Sequence, residues 1–337
     1  MDLSTWKPQI ESLVNSFYDG TQVAIGVLIS GQPFFLGCRK QANGMEWIDN
    51  RRTIFEIGSI TKIFTAHILC QMISEGTFHL SDPIGPHLQG LNRQTSITFQ
   101  QLANHTSGLP RLPEDFYNVP HFEEQNPYKA YTASSLSNYL QHVADWSAVS
   151  GQQFEYSNLG YGLLGFLLSA TGQLPFEQLV QQRIFAPFDM LHSSFQINAH
   201  PSLESGGIDE DGHPAPNWEG GILNGCIGIR SSTSDLLKFM NVLLDRDNPD
   251  SVLQSQPTWD ITENYHIGLG YGIRDQEGGV RLHKHGGGSK GFSGYMLLNI
   301  AESRGLILLS NVSAFHKDRL QLEELSKNLM DQLNQGS

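Results

Sequence analysis

The stretch that organises the chain reads Ile54-Phe-Glu-Ile-Gly-Ser-Ile-Thr-Lys-Ile-Phe-Thr-Ala-His-Ile-Leu-Cys70. Gly58 interrupts it, and apolar residues after this glycine recur at helical spacing, which predicts a buried helix with Ser59 in its first turn. Lys62 follows three residues later, and residues three apart are neighbours on a helix surface. A hydroxyl beside an amine is one way to build an activated nucleophile. A capping serine and a solvated lysine would share this spacing, so the rest of the chain must decide.

Composition narrows the class of protein. The 337 residues are 39% hydrophobic and 10% aromatic, which predicts a globular protein with an ample core. The net charge of −13 argues against a surface for nucleic acid or anionic membranes. The longest nearly apolar stretch, from Tyr161 to Ala170, is too short to cross a bilayer. We therefore expect no nucleic-acid or membrane partner.

Localisation is predicted from the N-terminus and the cysteines. The N-terminus lacks a basic start followed by an apolar run, so we expect no signal peptide. The odd set Cys38, Cys70 and Cys226 is widely spaced, which favours reduced and buried thiols. We expect a cytoplasmic protein, or an exported one if a leader has been removed.

Strand patterns occur at both ends of the chain, with helical patterns between them. An N-terminal hairpin is predicted over 23–38. The C-terminal strand-like runs are Leu269–Arg274, Val280–His285, Gly294–Asn299 and Leu306–Ser310, followed by a helix over 317–333. This order predicts an α/β (α+β) fold with one sheet built from both ends and an inserted, mostly helical region. The aperiodic segments 111–130 and 201–224 are predicted to be loops that wall a cleft and set substrate choice.

Two further motifs could carry chemistry. Phe154-Glu-Tyr156-Ser157-Asn158 precedes a predicted helix and could direct a phenol and an amide into one cleft. His285-Gly-Gly287-Gly288 ends a predicted strand, where glycines would let a substrate lie close to the strand edge. Either motif alone is weak, but their order after Ser-x-x-Lys is distinctive.

Together, Ser59-x-x-Lys62, Tyr156-x-Asn158 and His285-x-Gly287 resemble the serine β-lactamase and penicillin-binding-protein superfamily. The Tyr-x-Asn form is similar to its branch of class C β-lactamases, DD-peptidases and esterases, as are His105-Thr-Ser-Gly-Leu-Pro110 and Ser231-Ser-Thr-Ser-Asp235. The resemblance runs from about residue 20 to residue 312. It implies a β-lactamase/transpeptidase-like fold with a central antiparallel sheet. We treat 1–337 as one catalytic unit, in which 1–58 and 225–337 form the sheet with its flanking helices and 59–224 form the helical region.

The resemblance also implies roles for individual residues. Ser59 would attack a carbonyl carbon and become acylated, while Lys62 and Tyr156 would share the proton transfers. Asn158 would hold Lys62 or the substrate amide, and the N–H groups of Ser59 and Gly288 would form an oxyanion hole. His285 and Gly287 would contact substrate. Whether Lys62 or Tyr156 is the general base stays open, because their titrations are coupled.

One departure from the family pattern affects substrate choice. β-Lactamases carry lysine where this chain has His285, and a histidine is mostly neutral at about pH 7.5. We therefore expect an esterase or peptidase rather than an efficient β-lactamase, with small molecules or short peptides as substrates. The motifs leave open a non-catalytic β-lactam- or peptide-binding or sensing module, and an acyl-transferase or cyclase.

Three other patterns compete with this interpretation. Gly287-Gly-Ser289-Lys-Gly291 fits a nucleophile elbow, but a strand-like run rather than a helix follows it. Gly160-Tyr-Gly-Leu-Leu-Gly165 fits a dinucleotide fingerprint, but no strand precedes it, so helix packing is the expected use of its glycines. His283-Lys-His285 lacks a nearby acidic ligand. We expect no cofactor and no metal.

Overall fold

A computed structural model describes residues 2–88, 95–143 and 150–335. Its largest feature is an antiparallel sheet with the strand order β3-β2-β1-β13-β12-β11-β10-β9-β8. The first three strands come from the N-terminal end of the chain and the other six from the C-terminal end. The strands of this sheet are β1 Gln22–Ile29, β2 Gln32–Gln41, β3 Gly44–Trp47, β8 Trp259–Thr262, β9 Tyr265–Ile267, β10 Gly272–Asp275, β11 Arg281–Gly288, β12 Ser293–Asn299 and β13 Arg304–Ser310.

Two small strand pairs and the α-helices accompany this sheet, together with short 3-10 and π-helical turns. The pairs are β4 Phe55–Glu56 with β7 Arg230–Ser231, and β5 Gly207–Ile208 with β6 Pro214–Ala215. The α-helices are α1 Lys7–Val14, α2 Thr61–Ser74, α3 Phe99–Ala103, α4 Ala133–Asn138, α5 Asn158–Gly172, α6 Phe176–Val180, α7 Thr233–Leu243, α8 Pro249–Gln254 and α9 Leu320–Gln335. The expectation of a sheet built from both chain ends, with helices between, is confirmed.

Apolar side chains cover both faces of the central strands, so the sheet is the middle of three layers. In β1, Val23, Ile25 and Val27 pack in the cluster that contains α1 and α9. Ala24 and Leu28 face the opposite cluster, which contains α2, α5 and α7. This alternation follows from the period of two along a strand. A strand buried on both faces reads as a continuous apolar run, as β1 does.

One strand boundary differs from the sequence prediction. The run Leu269–Arg274 was expected to be a single strand, but β10 begins only at Gly272. Gly270 has φ +80°, and its backbone N–H donates to the carbonyl of Ala103, so the chain turns here instead of extending. The edge strand β8 was not predicted from the sequence. Most of its side chains are exposed, so it lacks the alternation of apolar and polar residues that marks a half-buried strand.

We expect two buried histidines to make the stability of this fold depend on pH. His67 packs in α2 against Gln254, and His283 in β11 lies against the carbonyl of Ser255. Burial lowers the pKa of both imidazoles, and that of His283 falls to about 4. The unfolded chain therefore binds protons that the folded chain excludes as the pH falls below about 6.5, and folding is weakened in that range.

We expect His283→Gln to flatten this pH dependence, because glutamine can donate to Ser255 without titrating. A histidine whose pKa falls from 6.5 to about 4 loses about 2 kcal/mol of stabilisation between pH 7 and pH 5. Urea unfolding at the two pH values would measure this difference in wild type and variant. Equal pH dependence in both proteins would contradict a titrating role for His283.

Candidate active site

The nucleophile candidate is placed by a tight turn. Gly58–Ile60 forms a 3-10 turn that leads directly into α2, with Ser59 at its centre and partly exposed. Gly58 has φ +52°, and a Cβ atom at this position would lie 2.3 Å from the backbone nitrogen of Gly288. Only glycine permits both this conformation and this approach. The turn consequently brings Ser59 against the end of β11.

Lys62 lies beneath Ser59 and is completely buried. Its Nζ is 3.0 Å from Ser59 Oγ, 2.8 Å from Asn158 Oδ1 and 3.0 Å from the carbonyl oxygen of Cys226. A buried amine needs such partners, because an unsatisfied polar group is costly in the interior. The contacts join the first two sequence motifs in one hydrogen-bonded group.

This set of contacts accommodates both protonation states of Lys62. The oxygens of Asn158 and Cys226 can only accept, so they take two N–H bonds from the amine. The third partner, the hydroxyl of Ser59, can accept or donate. An ammonium would donate to Ser59, whereas a neutral amine would present its lone pair to the hydroxyl proton. The site can therefore transfer a proton between Ser59 and Lys62 without rearranging its other hydrogen bonds.

Ser157 fixes the second motif at the start of α5. Its hydroxyl caps the helix by accepting from Gly160 N and donates to the carbonyl of Pro110. Its backbone N–H donates to His105 Nδ1 at 3.0 Å. These three bonds fix the backbone on either side, from which Tyr156 and Asn158 project. The amide nitrogen of Asn158 in turn donates to the hydroxyl of Tyr128 at 2.9 Å.

The Tyr156 ring lies next to the Lys62 amine, the Arg111 guanidinium and two imidazole rings. Lys62 Nζ is 4.9 Å from the ring centroid, and the guanidinium carbon of Arg111 is 5.5 Å from it. The ring of His105 stacks against it at 4.4 Å, with His285 at 6.3 Å. Positive charge near the face of an aromatic ring is favourable.

His285 is neutral in this environment. Burial, followed by the charge of Lys62, lowers its pKa to about 3. Its Nδ1 lies 2.6 Å from the carbonyl oxygen of Gly286, so Nδ1 carries the hydrogen and Nε2 keeps a free lone pair. His285 therefore offers the cleft an acceptor where a lysine would offer a cation.

The glycines of β11 allow the nucleophile turn to approach. A Cβ atom on Gly287 would lie 1.9 Å from the carbonyl oxygen of Ile57. At the end of the β11–β12 hairpin, Ser289 N donates to Phe292 O, so Ser289 and Phe292 are a hydrogen-bonded residue pair. Hydrogen-bonded and non-bonded pairs alternate along antiparallel strands, so the Gly288 N–H points away from β12. It is directed toward the edge that the Ser59 turn approaches.

The predicted site residues converge on one cleft. Lys62 lies beneath it, and a cavity of about 910 Å³ is lined by Ser59, Tyr156, Asn158, His285, Gly287 and Gly288. The segment 111–130 contributes one wall, as expected, and Glu210 and Trp218 come from the segment 201–224. In the described parts of the chain, three or more His, Cys, Asp or Glu side chains nowhere form a group able to hold a metal ion.

Sequence reasoning assigned no role to several residues that shape this cleft. His105 was noted only as part of a motif, yet its φ of +62° turns the buried ring between Tyr156 and Tyr161. The carbonyl of Cys226, which holds Lys62, had no recognisable pattern. The available sequence signal for His105 was its place in the stretch His105-Thr-Ser-Gly-Leu-Pro110.

Two of the competing patterns are resolved by the structure. Ser289 is buried in the β11–β12 turn and β12 follows it, so it is no nucleophile elbow. In α5, a Cβ atom on Gly162 would lie 2.4 Å from Leu223, and one on Gly165 would lie 2.7 Å from Gly225. These glycines serve close packing, as expected. No helix within the described ranges is long and apolar enough to cross a membrane.

Comparisons with known proteins agree with this geometry. The family model described as Beta-lactamase matches residues 17–329. A curated β-lactamase of Pseudomonas fluorescens is 31% identical over 56% of this chain and 50% of its own length. The D-alanyl-D-alanine-carboxypeptidase/endopeptidase AmpH of Escherichia coli is 26% identical over 67% of this chain and 58% of its own. The chain thus spans little more than half the length of these relatives.

The fold has a solved counterpart. A class C β-lactamase mutant superimposes with a TM-score of 0.79, at 18% identity, over 98% of both chains. At this identity the likeness concerns the fold alone, and it confirms the expected central antiparallel sheet with its flanking helices.

Proposed function

Because the chain belongs to the β-lactamase family, we propose that it is a metal-free serine hydrolase that forms an acyl-enzyme on Ser59. The observation that carries the proposal is the buried Lys62 amine, hydrogen-bonded to Ser59 Oγ and held by two acceptors. A helix-capping serine with a solvated lysine would show none of this burial. The substrates would be small esters, amides or short peptides.

In the acylation step, neutral Lys62 takes the proton of Ser59 as Oγ attacks the carbonyl carbon. We assign this role to Lys62 because it contacts the hydroxyl directly. The carbonyl π electrons move onto oxygen, and the N–H groups of Ser59 and Gly288 stabilise the resulting oxyanion. When the tetrahedral intermediate collapses, the bond to the leaving group breaks. Tyr156, beside Lys62, passes the proton to that group.

Deacylation reverses these roles with water as the nucleophile. Tyr156 and Lys62 take a proton from water as its oxygen attacks the acyl carbon, and the proton returns to Ser59 Oγ as the ester bond breaks. No oxidation or reduction occurs, so the cycle requires no cofactor. Asn158 keeps Lys62 in place throughout, because its other amide atom is held by Tyr128.

His285 supports esters and peptides over β-lactams as substrates. A neutral imidazole gives a substrate carboxylate no compensating charge, and charge-assisted hydrogen bonds are roughly twice as strong as neutral ones. We expect wild type to hydrolyse p-nitrophenyl butyrate much better than penicillins. His285→Lys is expected to raise kcat/KM for penicillins at least tenfold, since a hydrogen bond to a charged group contributes about 1.5–3 kcal/mol.

Steady-state hydrolysis of p-nitrophenyl butyrate and benzylpenicillin by both proteins measures this shift. His285→Gln is the matched control, because it changes the side chain without adding a charge. The assignment of His285 would be wrong if wild type already preferred penicillins and the lysine variant left their turnover unchanged.

A further inference from the structure

His105 holds the backbone on both sides of Tyr156. Its carbonyl oxygen accepts from the backbone N–H of Glu155 at 2.8 Å, and its ring atom Nδ1 accepts from the backbone N–H of Ser157 at 3.0 Å. One residue therefore fixes the two neighbours of the phenol, one through its main chain and the other through its side chain.

The ring of His105 also packs on the Tyr156 side chain itself. The two ring centroids are 4.4 Å apart and their planes differ by 31°, whereas the His285 ring lies 6.3 Å from Tyr156. Within the described ranges, the Tyr156 hydroxyl makes no hydrogen bond. The position of the phenol is consequently set by its backbone and by the groups that pack on its ring, and His105 contributes to both.

The backbone of His105 is unusual for a buried residue. Its φ is +62°, and of the described non-glycine residues with positive φ it is the one that is buried. Such conformations persist where surrounding contacts determine them, and they cluster at active sites. The rings of Phe154 and Tyr161, at 5.8 Å and 5.0 Å, hold the imidazole in its place beside Tyr156.

The imidazole of His105 acts as a hydrogen-bond acceptor. Because Ser157 donates to Nδ1, the ring is neutral and carries its hydrogen on Nε2. Burial, followed by the charge of Lys62, lowers the pKa of this imidazole well below its usual range. A neutral imidazole is a very weak acid, so His105 is suited to orient Tyr156 and not to donate a proton to substrate.

We propose that His105 is a positioning residue that holds the Tyr156 phenol where it can protonate the leaving oxygen of the substrate. This inference rests on the proposed function and adds the residue on which the leaving-group step depends. In that step the phenol O–H bond breaks, the proton joins the leaving oxygen, and that oxygen keeps the electron pair of the broken acyl bond. The phenolate regains a proton from the Lys62 ammonium, so the charges balance.

The test separates this role from a structural one by varying the leaving group. p-Nitrophenyl butyrate and phenyl butyrate share an acyl group, but only the more basic phenolate needs a proton in order to leave. General acid catalysis contributes about 10²- to 10⁴-fold, and a displacement of about 1 Å can remove about 10²-fold. Loss of the His105 ring should therefore slow phenyl butyrate more than p-nitrophenyl butyrate.

His105→Asn removes the ring and keeps the other features of the position. Asparagine tolerates positive φ, and its side-chain oxygen can accept from Ser157. We expect kcat/KM for phenyl butyrate to fall at least about tenfold and that for p-nitrophenyl butyrate less than about threefold, as a partial loss of general acid catalysis requires. Both esters are assayed on one preparation, so the folded fraction cancels from their ratio.

Two further variants serve as controls. His87→Asn makes the same substitution in a ring that packs 5.2 Å from Phe78 and 5.3 Å from Phe99 and does not line the cavity, so it should leave the ratio unchanged. Tyr156→Phe should itself slow phenyl butyrate selectively. Adding His105→Asn to Tyr156→Phe should then change the ratio no further, because residues that act through one group are not additive.

Equal losses for the two esters in His105→Asn would overturn the proposal, since a structural role alone predicts them. A selective loss that persisted in full in the Tyr156→Phe background would contradict action through the phenol. If Tyr156→Phe slowed both esters equally, the phenol would not be the leaving-group donor and the inference would fail, whether or not His105→Asn folds. Absence of Ser59-dependent release from both esters would instead overturn the proposed function.

Discussion

Replacing Lys62 by methionine is expected to lower kcat/KM for p-nitrophenyl butyrate by about 10³- to 10⁴-fold, at the upper end of the contribution of a general base. Lys62 has the only side-chain nitrogen in direct hydrogen-bond contact with Ser59 Oγ among the described residues. Methionine fills a similar volume but cannot take the proton. Stopped-flow measurement of the first turnover isolates the acylation step in which this loss should appear.

Stability provides the control for this substitution. Lys62→Met removes a buried amine but leaves the oxygens of Asn158 and Cys226 without their donor, and each unsatisfied buried acceptor costs about 1–3 kcal/mol. We expect a fold that is weakened but intact, which urea unfolding would verify. A folded variant that retained acylation within tenfold of wild type would contradict Lys62 as the first proton acceptor.

Replacing Gly287 by alanine is expected to lower kcat by at least about 100-fold, since a displacement of 1 Å can have this effect on a catalytic geometry. The added Cβ would lie 1.9 Å from the carbonyl oxygen of Ile57, so the Ser59 turn and β11 must move apart. This movement would separate the two N–H groups that we assign to the oxyanion hole. Removing one such donor costs roughly 10²- to 10³-fold.

Gly286→Ala is the matched control, one residue away in the same strand. Its Cβ would come no closer to a neighbour than 3.4 Å, from the Tyr295 ring, which is an ordinary contact. We expect less than a tenfold loss for this variant under the same assay. Equal losses at the two positions would argue against the close approach of the turn to Gly287 as the reason that glycine is required.

Much of the architecture could be predicted because it depends on local pattern. The apolar run of β1 and the helical spacing after Gly58 set a strand and a helix without reference to distant residues. The three motifs then converged as expected, since Lys62 contacts Asn158 and the Ser59 turn meets Gly288. A motif that consists of fixed residue types at fixed spacing can therefore be recognised from the sequence alone.

The rest of the site depends on contacts that no pattern in the chain encodes. The glycines from Gly286 to Gly288 look equivalent in sequence. In the structure, a Cβ atom would lie 1.9 Å from Ile57 O at Gly287, 2.5 Å from Ala314 at Gly288, and no closer than 3.4 Å to any neighbour at Gly286. The neutral state of His285 follows from burial and from the charge of Lys62, which both lower its pKa. The rings of Tyr128, Trp218 and Phe315 come from segments far apart along the chain, so only the folded structure brings them together.

The most direct test of the account is intact-protein mass spectrometry after brief incubation with p-nitrophenyl butyrate, comparing wild type with Ser59→Ala. We predict a butyryl adduct on wild type, located at Ser59 by peptide mapping, together with steady release of p-nitrophenol. Ser59→Ala should show neither the adduct nor release above the uncatalysed rate. Release that is unaffected by Ser59→Ala, or an adduct on another residue, would contradict Ser59 as the nucleophile.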